Sequence, residues 1–202
     1  MSGIPLLVDP AGLRVLIVGG GAVALRKAKQ LGQMGAQLRL VAPELSEELE
    51  ALLHERGSTV ERRAYATGDI DDAQLVFAAT NDRLVNAQIA SDADAENRLV
   101  NVTDLAEGGT FSVMATHHRG ALTIGVSGGG VPAAALKIRD AIAERFDARY
   151  GDALHALTQL RRRLLAAGDT AAWKERQAAL IDDDFCETVE QGRLAEKIAP
   201  WP

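Results

Sequence analysis

Apolar residues in the first half of the chain come in short unbroken runs, and between these runs they recur at helical spacing. Val15-Leu16-Ile17-Val18 is one such run and Val76-Phe77-Ala78-Ala79 another, as expected of strands covered on both faces. After the first run, Ala24, Ala28, Leu31 and Met34 mark one face of a helix. The pattern predicts strands over 13–18, 37–41, 59–63, 75–79 and 99–102, with helices over 22–34, 43–56 and 84–97. Pro43 suits the first turn of its helix, and Glu44, Glu47 and Glu48 suit the N-terminal end of the dipole. Strands alternating with helices in this way make a parallel α/β sheet.

Past residue 102 the pattern changes. Two strands are predicted over 110–114 and 121–126, joined by the polar turn His117-His118-Arg119-Gly120. The stretch Ser127-Gly128-Gly129-Gly130-Val131-Pro132 then breaks the chain, and four helices are expected over 133–146, 151–166, 170–180 and 182–197.

The turn between the first strand and first helix carries the chemistry. Gly19-Gly20-Gly21-Ala22-Val23-Ala24 is a G-x-G-x-x-A sequence placed after a buried strand and at a helix start, which is the dinucleotide-binding fingerprint in its structural context. Gly19 permits the tight turn, Gly21 lets backbone approach a pyrophosphate, and Ala24 lets the helix pack closely. The pyrophosphate is then expected at the helix N-terminus, where unpaired N–H groups and the macrodipole favour negative charge.

Composition narrows the field. The 202 residues are 47% hydrophobic and 25% charged, a globular composition with ample core. No apolar run reaches the ~18 residues of a membrane span, and Met1-Ser2-Gly3-Ile4-Pro5 lacks the basic region of a secretory signal. The single cysteine, Cys186, allows neither an internal disulfide nor a cysteine-clustered metal site. A cytoplasmic protein fits these features. The net charge of −6 argues against a nucleic-acid binder. Arg161-Arg162-Arg163, and the series Lys137, Arg139, Arg145 and Arg149, read first as solvated helix faces.

Ligands of an open parallel sheet lie beyond the carboxyl ends of its strands. After the glycine turn, the positions to inspect are therefore Ala42-Pro43-Glu44, Thr80-Asn81-Asp82 and Thr103-Asp104. The acid that usually holds the ribose about 20 residues past the glycines is missing, since Val41 and Ala42 end the second strand. Glu44 reads equally as a ribose contact or as a helix-end charge, and the absence of an arginine directly after this strand leans to NAD over NADP. Asp104, at the lip of the fifth strand, reads as a general acid or base or as a turn residue. Adjacent His117 and His118 would face opposite ways on a strand, so a surface turn is expected and no metal site.

Four stretches together resemble the precorrin-2 dehydrogenase family, the dehydrogenase and ferrochelatase module of siroheme synthases. They are the glycine turn with its following Arg26-Lys27, Ala78-Ala79-Thr80-Asn81-Asp82 with Val85-Asn86, Asn101-Val102-Thr103-Asp104 with Phe111, and Val126-Ser127-Gly128-Gly129. With Ile4-Pro5-Leu6-Leu7 and the tail from Trp173 to Asp184, the ordered matches cover about residues 4–185. The resemblance implies a Rossmann-like NAD-binding domain over 1–113, a small strand-containing dimerisation segment over 114–148 and a C-terminal helical domain over 149–202. It implies NAD-dependent oxidation of precorrin-2, a tetrapyrrole, to sirohydrochlorin by a homodimer, with Fe²⁺ insertion in part of the family. Asp104 matches the family's catalytic aspartate. Ala22, Val23, Pro43 and Glu44 match cofactor-contacting positions, joining Gly19, Gly21, Thr80 and Asn81 as the expected cofactor site. Ser127, Arg119, Lys137 and Arg139 are the candidates for the carboxylate-rich substrate. Two features depart from the family: Ser112-Val113-Met114-Ala115 lacks its proline, and the loop from Ser127 to Pro132 is one residue shorter and lacks the second serine. A nucleotide-sensing module without catalysis is the alternative. It would place an acid at the end of the second strand and lack the glycine-serine loop, so both features speak against it.

Overall fold

The computed structural model describes residues 3–103 and 108–199. The chain divides into two compact units, Met1–Val113 and Met114–Pro202.

The first unit is a five-stranded parallel sheet: β1 (Arg14–Val18), β2 (Gln37–Val41), β3 (Thr59–Glu61), β4 (Leu75–Ala78) and β5 (Leu99–Val102). Their order in space is β3-β2-β1-β4-β5. The chain therefore winds outward from β1 in one direction, then returns to add β4 on the other side. Val18 of β1 is level with Val41 of β2 and Ala78 of β4, so the three strands end together. Helices α1 (Ala22–Gln33), α2 (Glu47–Glu55) and α3 (Arg83–Ala95) make the crossovers, with a 3-10 turn at Thr67–Ile70.

Strand pleating sorts the core into two layers. Val15, Ile17, Leu38, Leu40 and Phe77 pack with α1 and α2. Leu16, Val18, Val76 and Val100 pack with Ile89 and Ala93 of α3. Helix α1 approaches the sheet through Ala24 and Ala28, both fully buried, which is the close packing that Ala24 predicted.

Lys27 lies on that same buried face, its ammonium 5.3 Å from the centre of the Phe77 ring. Burial, helped by nearby Arg26, lowers its pKa from the ordinary 10.5 to about 8. Between those two values the folded chain holds fewer protons than the unfolded one, so this residue makes stability rise with pH across that window. Lys27→Met is expected to abolish the rise, read as the unfolding midpoint against pH from about 8 to 10.5.

The second unit contains an antiparallel pair, β6 (Ala115–Arg119) and β7 (Leu122–Val126), and helices α4 (Pro132–Arg145), α5 (Ala148–Ala166), α6 (Thr170–Leu180), α7 (Phe185–Glu190) and α8 (Leu194–Ile198). Its core is Leu157, Leu160 and Leu164 of α5 with Leu180, Val189 and Leu194.

Four local expectations are corrected. Residues 43–46 lie outside any helix, with a bend at Pro43 and Glu44, because the Ser46 N–H donates to the Gly20 carbonyl (2.9 Å) and draws this loop against the glycine turn. Glu44 is therefore not a helix-end charge. The strand expected over 110–114 begins later, at Ala115, because Thr110 is drawn onto β5: its N–H donates to the Val100 carbonyl and its hydroxyl accepts from the Val100 N–H. His117, His118 and Arg119 consequently lie in β6, and Gly120 and Ala121 make the turn. His117 is no surface residue. It is buried with Nε2 2.6 Å from the Phe146 carbonyl oxygen, while His118 points to solvent, as the alternation of a strand requires. The single helix over 182–197 is two, interrupted at Gly192, whose φ of 71° ends α7.

Candidate functional site

A cleft of about 630 Å³ opens at the carboxyl ends of β1, β2, β3 and β4, inside the first unit. Its floor is the glycine turn. A Cβ on Gly19, whose φ is +124°, would stand 2.3 Å from the Ala79 carbonyl oxygen, and one on Gly20 would stand 1.8 Å from that of Glu44. Both glycines are thus demanded by neighbouring backbone. Gly21 differs: a Cβ there would meet nothing within 4 Å. It caps α1 without a side-chain hydrogen bond, and no acidic residue sits in that helix's first turn. A helix start of this kind is one at which negative charge is favoured.

One wall is the β2–α2 loop, Ala42 to Ser46, docked on Gly20 as described. Opposite it, Thr80, Asn81 and Asp82 follow β4. Asn86, buried in α3, holds that turn: its Oδ1 lies 2.8 Å from the Thr80 Oγ1 and accepts from the Thr80 N–H, and its Nδ2 donates to the Thr80 carbonyl (3.0 Å). The Asp82 carboxylate caps α3, accepting from the N–H groups of Leu84 (2.8 Å) and Val85 (3.3 Å).

The third side is Ala64 and Tyr65, just past β3. Their loop is fixed by Asp69, which is 4% exposed and accepts from the Ala66 N–H (2.8 Å) and from Arg63 (2.8 Å). The Arg63 guanidinium holds the Asp69 carboxyl below its usual range. Arg39 joins the same cluster through Glu61 (3.0 Å) and Asp69 (3.5 Å), and Arg62 pairs with Glu50.

Of the residues expected from sequence, Gly19, Gly21, Pro43, Glu44, Thr80 and Asn81 line this one cleft. Ala22 and Val23 form the first turn of α1 behind Gly21, where Val23 packs on the core. Asp104 lies outside the described residues. Thr103 before it is anchored, its N–H and hydroxyl both donating to the Ala78 carbonyl (3.1 and 2.9 Å). Ser127, Arg119, Lys137 and Arg139 all belong to the second unit and are exposed or half-buried there. Arg139 already pairs with Asp140 (Nε–Oδ1 2.9 Å), and Arg119 donates to the His118 carbonyl (2.8 Å). Tyr65 and Asn86 were missed as site-forming residues. Asn86 had a signal, since the apolar spacing of its helix gives it a sheet-facing position; Tyr65 had none. Among the described residues no group of three or more His, Cys, Asp or Glu is placed to hold a metal ion.

A sheet whose winding reverses beside β1, with bare helix N–H groups at the reversal, defines a dinucleotide-binding domain. The chain belongs to the family described as "Putative NAD(P)-binding", whose model matches residues 6–115. It is 37% identical to a siroheme synthase of Pseudomonas entomophila strain L48 over 98% of its own length, and 38% identical to that of Azotobacter vinelandii strain DJ over the same share. It spans 41% of the length of each of these relatives. Among solved structures, it is similar to SirC, a precorrin-2 dehydrogenase, with a TM-score of 0.79 and 26% identity over 98% of this chain and 100% of that one. No helix among the described residues is long and apolar enough to cross a membrane.

Proposed function

We propose that this chain catalyses the NAD-dependent oxidation of precorrin-2 to sirohydrochlorin, in the cytoplasm and as a homodimer. The observation that carries the reading is the similarity to SirC along the full length of both chains, on top of a cleft shaped for a dinucleotide. The residues fit that cofactor: Gly19 and Gly20 bring backbone close, Gly21 leaves room, and the start of α1 receives the pyrophosphate. NAD, when bound, supplies the hydride acceptor. Asp104, which matches the family's catalytic aspartate, takes as a carboxylate the proton released alongside the hydride. Ser127, Arg119 and Lys137 serve the carboxylates of the substrate. Arg139 does so only by leaving Asp140. Insertion of Fe²⁺ into the product is a second proposed reaction, supported by the siroheme synthase relatives.

Mixing the protein with precorrin-2 and NAD should produce the absorption spectrum of sirohydrochlorin. Folded protein that binds NAD yet leaves precorrin-2 unchanged sinks the proposal.

The charge of the cleft selects the cofactor form. Its lining contains Glu44 and Asp82 and, among the described residues, no lysine or arginine. The nearby Arg39, Arg62 and Arg63 are all engaged by carboxylates. A 2′-phosphate beside the β2–α2 loop would find Glu44 and no cation among the lining residues, so kcat/KM with NAD should exceed that with NADP by about 10-fold or more, as expected for an unpaired anion. Steady-state rates with both cofactors measure it.

A further inference from the structure

We propose that Tyr65 is the surface on which the adenine of the dinucleotide stacks, and that Asp92 holds its ring in place. The inference rests on the dinucleotide reading of the cleft and not on the reaction carried out there.

Tyr65 follows β3 and lines the cleft. Its hydroxyl is committed elsewhere: it donates to the Asp92 Oδ2 at 2.8 Å, on α3. Asp92 is itself buried, and its other oxygen accepts from the Gln88 side chain at 2.6 Å. Burial and this carboxylate push the phenol above its usual range, so it remains a neutral donor. With its polar end tied down, Tyr65 offers the cleft a flat apolar ring. Its backbone is fixed independently, because Asp69 accepts from the next N–H, that of Ala66 (2.8 Å), and donates its own N–H to the Ala66 carbonyl (2.9 Å). The ring is therefore pinned at both ends with no ligand required.

The surroundings suit a planar base. Val85 of α3 packs with Tyr65 against the second core layer, and both face the cleft beside Val41, Ala42 and Ala64. None of these five is charged. In a sheet of this order the pyrophosphate sits at the β1–α1 turn, so the two nucleosides extend to opposite sides of β1. The β3 side lies away from β4 and β5, across β2 and β1. The end of β2 is where such a fold holds the ribose of the adenosine, so the base above β3 is the adenine, and it is held by shape and stacking. An aromatic side chain provides that for any purine.

The test is calorimetric binding of AMP to the full chain, with no substrate present. Removing an aromatic stacking partner weakens base binding by about 5- to 150-fold, and this is the loss expected for Tyr65→Leu, which keeps apolar volume without a flat π-face. Tyr65→Phe keeps the ring and loses only the Asp92 hold, so its affinity should fall between the two. Equal AMP affinity for wild type and Tyr65→Leu overturns the proposal, as does a Phe variant as weak as the Leu variant, which would assign the effect to the hydroxyl. Wild-type protein that binds NAD but not AMP overturns it as well. Unfolding midpoints of both variants near the wild-type value keep the comparison on binding. Because AMP carries no hydride acceptor, these results stand whether or not precorrin-2 is turned over.

Discussion

Gly20→Ala is expected to destabilise the first unit and to abolish measurable NAD binding, whereas Gly21→Ala should unfold like wild type and lose NAD binding alone. The contrast follows from where each added methyl would go. At Gly20 it would stand 1.8 Å from the Glu44 carbonyl oxygen and 3.0 Å from the Leu45 Cα, which are backbone atoms that no rotamer change can move. The β2–α2 loop must shift, the Ser46–Gly20 hydrogen bond is strained, and overpacking of this kind costs ~1–3 kcal/mol. At Gly21 the methyl enters open space in the cleft, meeting nothing within 4 Å, and would obstruct only a pyrophosphate. Thermal unfolding and NAD calorimetry on the two variants separate the outcomes. A Gly21→Ala protein with unchanged NAD affinity would show that the diphosphate does not approach this turn.

Asp104→Ala should retain NAD affinity and lose about 10²- to 10⁴-fold in kcat for sirohydrochlorin formation, the usual contribution of a positioned acid–base group. The proposed role is proton removal, so the loss should fall on kcat, with the substrate KM little changed. Asp104→Asn should be as impaired as Ala, since an amide accepts no proton at neutral pH. Normal turnover in either variant removes this residue from the chemistry.

Much of the first unit was legible because strands buried on both faces leave unbroken apolar runs. The spans expected for β2 and β5 coincide with the observed ones, and the glycine turn lies where the strand-then-helix context placed it. The loop at 43–46 escaped because proline and acidic residues are good helix starters in isolation. What keeps that loop out of the helix is a hydrogen bond to Gly20, a residue more than twenty positions earlier. His117 escaped for the same reason: its polar neighbours suggest a turn, and only its pairing with β7 and the Phe146 carbonyl buries it. Tyr65 is the clearest case. Its partner Asp92 is 27 positions away on a different element, so no local spacing could join them. Asp104 was singled out by its place after the fifth predicted strand and by family resemblance, and it lies outside the described residues.

The wall formed by Thr80 and Asn86 has a consequence for how fast a cofactor can be captured. Both the amide and the carbonyl of Thr80 are already satisfied by a buried side chain, and Asp82 has already closed the start of α3. Little entropy is left to surrender when a guest arrives, so association need not wait for this segment to organise. Encounter and desolvation, rather than rearrangement of that rim, then set the on-rate.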